Sequence, residues 1–260
     1  YVEIGGEKRK IEFPERELGN ISYELDKTYQ GMYEWISDII SKKLSMAYYR
    51  LLKYKNAEKL TAEEELALGR MMALEGIFRT ILLKRLESSI QAFRTSITNH
   101  IKFLHDLKKH MLQGKLLTKQ SFNKYVMGAD EELEDFVQEL EKINLSDYRK
   151  DELFGDIDKD IDYLNAILDK IKDIKTEQDA KLKVLATKLL ELSKKGQIIV
   201  FTYYADTLNY IHEAIANEKE FSGLQIAKIS GATGVQTREK IVKEFLDKKI
   251  DILMSTDVLS

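Results

Sequence analysis

Three short stretches in the last third of the chain carry the residue types that bind phosphate: Thr202-Tyr203-Tyr204, Ser230-Gly231-Ala232-Thr233-Gly234 and Ser255-Thr256-Asp257. Each offers hydroxyls or backbone amides, and none is apolar. The two glycines of the middle stretch let the backbone approach an anion closely. A helical pattern carrying Arg238 follows, so a helix start would add free amides and a favourable dipole. Gly, Ser and Thr also favour ordinary turns between strand and helix. Three such stretches on one edge shift the balance toward a phosphate-binding edge.

Other chemistries find less support. The chain has no cysteine, which excludes a thiol nucleophile, a disulfide framework and any zinc site built on thiolates. It has neither GxxxxGK[ST] nor GxGxxG, so it holds no phosphate cradle of either kind. His100, His105 and His110 recur every five residues, about 140° apart around a helix, a spacing that spreads them instead of aiming them at one metal. They read as a solvated face. The acid runs at 130–132 and 156–162 lack the EF-hand spacing and read as surface.

The three stretches need strands to hold them side by side. GQIIVFT, LQIAKI and DILMST are short apolar runs whose starts fall about 26 to 28 residues apart, close to one βαβ unit with its crossover. IIVF is rich in β-branched residues and reads as a strand buried on both faces. Leu208, Ile211 and Ile215, then Ile241, Val242 and Phe245, form the apolar faces of the intervening helices. Three parallel strands with right-handed crossovers make the core of an open α/β sheet, and ligands of such sheets bind beyond the carboxyl ends of the strands. All three stretches lie there.

Upstream the period is helical. In residues 1–25 two β-like runs, VEI and ISYEL, flank a turn-rich segment. From Tyr29 to Leu52, apolar residues at three- and four-residue steps predict one long amphipathic helix. Thr61-Ala-Glu-Glu64 has the form of a capping box and opens a longer pattern reaching about residue 112, one very long helix or two nearly collinear ones. Two such helices would bury their stripes on each other as an antiparallel hairpin. Shorter acidic helices fill 118–176, with Ile157, Ile161, Leu164, Ile167, Leu168 and Ile171 as the clearest apolar set.

At 43% hydrophobic and 33% charged residues, the 260-residue chain suits a folded, strongly helical protein. It has a single proline, Pro14, and no stretch of 18 apolar residues to span a membrane. The absence of cysteine fits a reducing cytosol, and a cytoplasmic location is expected. Tyr1 at one end and a strand running into a loop at the other read as the cut ends of something larger. The net charge of −3 hides a split: residues 36–114 carry 14 basic and 8 acidic side chains, and residues 115–178 carry 10 and 17. Such a split marks either a nucleic-acid face beside an outer face or two solvated surfaces pairing with each other.

The last 80 residues resemble a family. KGQIIVFTYYADTLNYI, IAKISGATGVQTREKIVKEF and DILMSTDVLS are similar, in that order, to the second RecA-like lobe of superfamily-two helicases, especially the Swi/Snf-type DNA translocases of bacteria. IIVFT resembles motif IV and STDVLS the opening of motif V. Upstream, ILLKRLESSIQAF resembles the helical region that bacterial Swi/Snf-type proteins insert between their motor lobes. ERELGNISYEL resembles the segment just after the first lobe.

The resemblance implies an α/β fold with an all-α insertion: a connector at 1–26, a helical insertion domain at 27–178, and a RecA-like lobe at 179–260 truncated after motif V. It places Thr202 near a nucleic-acid phosphate, with Gly231, Ala232, Thr233 and Arg238 on the same strand. Ser255 and Thr256 would touch the phosphate backbone, and Asp257 would face the ATP cleft. It implies ATP and magnesium as cofactors of the parent protein, with none bound to this segment. The Walker motifs and the motif VI arginine finger would lie outside it, so the segment alone should not hydrolyse ATP. The expected partner is nucleic acid, foremost double-stranded DNA, and no membrane. Lys84 and Arg85 are candidates for extra duplex contact. A non-enzymatic scaffold whose helical hairpin binds a protein, and an RNA or single-strand helicase of the same superfamily, are the competing expectations.

Overall fold

The computed structural model describes residues 2–4, 7–9, 18–56, 60–114 and 144–256. Two short strands, β1 (Val2–Ile4) and β2 (Glu7–Arg9), pair antiparallel. The second β-like run of the sequence, ISYEL, is not a strand: residues 21–24 have no regular structure, and helix α1 (Leu25–Tyr29) starts at its last residue.

The long helix expected from Tyr29 to Leu52 is broken twice, at residues 30–32 and 44–46. Gln30 and Gly31 take positive φ angles of 53° and 80°, ending α1. Helix α2 (Tyr33–Asp38) runs into a π-helical turn at Ile39–Lys43, and a 3-10 helix at Ala47–Tyr54 follows Met46, whose φ is 49°. The backbone groups freed at the second break find partners from far away. Arg79 donates to the carbonyls of Ile40 and Leu44, the latter at 2.7 Å. Asp160 accepts from the amides of Ser45 and Met46 at 2.6 and 2.9 Å and from the Ser45 hydroxyl at 2.9 Å. A buried group so paired costs little to leave outside a helix. The apolar period still predicted burial correctly, since Tyr29, Ile36, Ile39, Ile40 and Leu44 are all core residues.

Helix α3 (Ala62–Ser88) opens with the expected capping box: the Glu64 amide donates to the Thr61 hydroxyl at 3.2 Å, and the Thr61 amide donates to the Glu64 carboxylate at 2.9 Å. It does not continue to residue 112. Ser89 is extended (φ −160°, ψ 152°), and its hydroxyl accepts the Ala92 amide at 3.1 Å, capping a new helix, α4 (Ile90–Leu112). The halves are not collinear. The Phe78 and His100 rings, eleven residues either side of Ser89, lie 4.8 Å apart, so the chain doubles back there.

Helix α5 (Lys150–Ile171) packs against α4, and its predicted set Ile157, Ile161, Leu164, Ile167 and Ile171 is buried while Leu168 is half-buried. Arg94 donates to the carbonyls of Ile171, Lys172 and Ile174, closing the end of α5. Two surface readings are corrected here. Asp160, within the 156–162 acid run, is 1% exposed, and burial pushes its carboxyl above the usual range against the pull of its three donors. His100 is also buried, packed beside Phe78 and Phe103, whereas His105 is exposed and His110 half-buried. Residues 118–143 of the predicted acidic helical segment 118–176, including the run at 130–132, lie outside the described residues.

Helix α6 (Ala180–Ser193), capped by Asp179, leads into the sheet. Strands β3 (Ile198–Phe201), β4 (Ile226–Ile229) and β5 (Ile252–Ser255) are all parallel, in the order β3-β5-β4, with Ile198 and Ile226 both opposite Ile252. Helices α7 (Ala205–Ala216) and α8 (Val235–Leu246) make the crossovers. On one face α6 and α7 set Leu182, Leu189, Leu208, Ile211 and Ile215 against Ile252 and Met254. On the other, Ile241, Val242 and Phe245 of α8 cover Ile229 and Leu253. That cover stops short of β3. Ile199 and Phe201 are 47% and 59% exposed while Ile198 and Val200 are half-buried, so β3 is partly covered on one face and open on the other, not buried on two as its composition suggested.

Candidate nucleic-acid interface

The parallel register brings the three loop stretches together at the carboxyl edge of the sheet. The Thr202 amide donates to the Ser255 carbonyl at 3.0 Å, and the Thr256 amide donates to the Ile229 carbonyl at 3.2 Å. These two bonds tie the exits of β3, β5 and β4 into one row. β5 is central, so its exit is the most enclosed.

The loops present themselves differently. Thr202 is half-buried, Tyr203 is 55% exposed and Tyr204 is 4% exposed. In the middle loop the Ser230 amide donates to the Thr233 hydroxyl at 3.0 Å, and the Thr233 amide donates to the Ser230 carbonyl at 2.9 Å. This small ring leaves Gly231 and Ala232 exposed at its tip. Gly234 caps α8 without a side-chain bond, so the first amides of that helix have no capping side chain from it. Arg238 lies one turn in, half-buried and folded back so that Nη2 is 3.5 Å from the Thr233 carbonyl. Its Nε is buried with no hydrogen-bond partner among the described residues. Ser255 is fully buried and its hydroxyl donates to the Thr256 carbonyl at 2.7 Å, while Thr256 is 5% exposed. These two lie beneath the edge. Asp257 lies outside the described residues.

Thr202, the tip of the middle loop and Arg238 are therefore the sequence-selected groups that reach the surface together. The arrangement offers amide and hydroxyl donors with one guanidinium and no carboxylate among the described residues of the three loops, a chemistry suited to a phosphodiester backbone. Among the described residues no group of three or more His, Asp or Glu side chains could hold a metal ion.

The basic block upstream is differently employed. Lys84 is exposed, but Arg85 is 8% exposed and pairs with Asp206 at 3.1 Å. Arg50 and Arg79 bind the buried Glu75, and Arg94 caps α5. Lys108 of the basic block pairs with Asp158 of the acidic one at 2.6 Å. These observations count against a continuous basic face, and Lys108–Asp158 joins the two blocks directly.

The comparisons with known proteins fall on the sheet. Residues 180–260 match the family described as the helicase conserved C-terminal domain. That match falls on the same residues as the parallel sheet and its loop-bearing edge. The chain is 29% identical over 96 residues to DEAD-box ATP-dependent RNA helicase 38 of Arabidopsis thaliana. It is 32% identical over 97 residues to the protein of the same name in Oryza sativa subsp. japonica. Each match covers 36% of this chain but only 18% of the relative. Among solved structures, the Pyrococcus furiosus Hef helicase domain is similar at 16% identity and a TM-score of 0.38, over 89% of this chain and 44% of that one. The C-terminal part of the Fun30 ATPase domain is similar at 16% identity and a TM-score of 0.32, over 90% and 66%. No helix among the described residues is long and apolar enough to cross a membrane.

Proposed function

We propose that this chain is a segment of an ATP-dependent nucleic-acid motor of the superfamily-two helicase type, which couples ATP hydrolysis to movement along a strand. The observation that carries the reading is the row of three phosphate-suited loops at one sheet edge, inside the residues that match the helicase C-terminal domain. In this reading Thr202, the amides of Gly231 and Ala232, Thr233 and Arg238 grip successive phosphates. Ser255 and Thr256 support the strand from below, and Asp257 faces the ATP cleft. Contacts of this kind carry little sequence information and weaken steeply with salt. ATP and magnesium belong to the whole motor, whose phosphate cradle and arginine finger would come from other parts of the parent.

Duplex DNA is the proposed substrate, on the likeness of residues 75–95 and 196–260 to bacterial Swi/Snf-type translocases. A second reading, an RNA helicase, is favoured by the curated relatives, both of which are RNA helicases by name. ATP hydrolysis by the full-length parent, measured with duplex DNA, single-stranded RNA and no nucleic acid, separates the two. Stimulation by duplex that Arg238→Ala lowers at least about tenfold, in line with losing a charge-assisted contact, and that Thr256→Ala lowers less because it acts from beneath the edge, is the expected result. Stimulation by RNA alone would transfer the edge to the second reading. Absence of hydrolysis with every nucleic acid would leave the helical part as a protein-binding scaffold.

A further inference from the structure

The elbow where α3 turns into α4 is bolted to the loop that leaves β3. Arg85, in the last turn of α3, places its guanidinium 4.4 Å from the centroid of the Tyr204 ring and its Nη1 3.1 Å from Asp206 Oδ2. Three residues on, Ser88 and Ser89 both place their hydroxyls on that of Thr207, at 2.8 and 3.0 Å. Thr207 is 1% exposed, Ser89 6% and Tyr204 4%, so the hydroxyl and ring contacts are buried while Asp206 stays partly open to solvent. From the α6 side, Lys181 donates to the carbonyls of Glu87 and Ser88 at 3.0 Å each, securing the end of α3 against the sheet-bearing part. Tyr204, Asp206 and Thr207 belong to the first turn of α7 and the residue before it, directly after Thr202 and Tyr203. The Tyr203 ring in turn stands edge-on to Tyr204 with centroids 4.9 Å apart.

We infer that Arg85 is a positioning residue for the candidate nucleic-acid edge: by clamping Tyr204 and Asp206 it makes the placement of Thr202 and Tyr203 depend on the helical part of the molecule. The inference rests on the proposed function for its consequence, though not for the clamp itself. The guanidinium is suited to the task because one flat group covers an aromatic ring and bonds a carboxylate in the same pose, which an ammonium cannot do. Whatever shifts the α3–α4 elbow moves the β3 exit loop, and a strand held on that loop holds the elbow. Such reciprocity follows from any coupling between two sites.

The alternative role, direct contact of Arg85 with a phosphate, predicts opposite signs. Asp206→Asn removes a negative charge beside the edge. If charge alone mattered, the variant would bind nucleic acid more tightly. A lost clamp makes it bind more weakly. Asp206 has a side chain 41% exposed, so this variant keeps the fold where Arg85→Ala could disturb it. The experiment uses the 260-residue chain with Arg85→Ala, Arg85→Lys and Asp206→Asn. Hydrogen exchange is read over residues 202–208 and over β5, and binding is read with fluorescein-labelled duplex DNA and single-stranded RNA.

All three variants should speed exchange at 202–208 about tenfold while β5 is unchanged, and should weaken binding about tenfold, Lys no better than Ala. Unchanged exchange at 202–208 overturns the clamp. Faster exchange with unchanged or tighter binding by Asp206→Asn overturns its role in holding nucleic acid. If the wild-type chain binds neither probe, the proposed function of this edge fails, and faster exchange in the variants would still establish the clamp alone.

Discussion

The helical part of the molecule and the sheet-bearing part bury their apolar residues in contrasting ways. From Tyr29 to Ile174 the helices share one continuous cluster, in which Phe93, Ile97, Phe103, Leu107 and Met111 have no exposed surface. Where helices break inside this cluster, charged side chains satisfy the freed backbone: Arg79 at Ile40 and Leu44, Asp160 at Ser45 and Met46. The sheet has a filled layer under α6 and α7 but a partial one under α8, with Ile199 and Phe201 left open. A helix can bury its stripe against any neighbour that fits. A parallel sheet needs a layer on each face of every strand. The more completely packed part of the described molecule is thus the helical one, and the candidate interface sits on the thinner part, anchored through Arg85 and Thr207.

This contrast breaks if core truncations cost the same in both parts. Phe93→Ala should be the most damaging, at about 4 kcal/mol, because a fully buried ring leaves a cavity that rigid neighbours cannot refill. Urea unfolding followed by circular dichroism reads the loss. Hydrogen exchange at β5 in the same variant sharpens the picture: if β5 stays protected, the sheet unfolds separately from the helices.

A smaller effect concerns His100. Both its ring nitrogens lack hydrogen-bond partners among the described residues, and burial pushes its imidazole down to about 3. The unfolded chain binds a proton below about 6.5 that the folded chain refuses until about 3. Its contribution to stability is therefore intact above about pH 6.5 and is lost as the pH falls toward 3, by roughly 1 kcal/mol per unit. His100→Phe, flanked already by Phe78 and Phe103, should flatten that part of the stability–pH curve. An unchanged slope would show that the imidazole finds a proton partner or water on folding.

The least effect is expected at β3. Phe201→Ser removes an aromatic side chain that is 59% exposed, and thermal unfolding should shift by no more than about 0.5 kcal/mol in stability. A loss of several kcal/mol would mean that the open face of the sheet is covered in solution, erasing half of the contrast.

Much of the candidate edge was legible before any coordinates. Short β-branched runs, their spacing and the Gly, Ser and Thr that follow them are local signals, and they located all three strands and the loops beyond. The capping box at Thr61 was equally local. The break at Ser89 has a local signal, two serines followed by an apolar run that make a natural N-cap, but the apolar period runs through them unbroken and masks it. Of the two breaks between Gln30 and Met46, only the first has a local signal, Gly31.

Apolar periodicity and turn chemistry act over a few residues, so they alone dictate most of the apolar core and where the sheet presents its loops. How polar groups are employed depends on the fold as a whole. Asp160 serves residues 45 and 46 more than a hundred positions away, and Arg85 left the solvent for Asp206 across a separation of 121. A charged side chain looks the same in sequence whether it meets water or a buried partner. The partner alone repays its desolvation, and the partner is chosen by the fold.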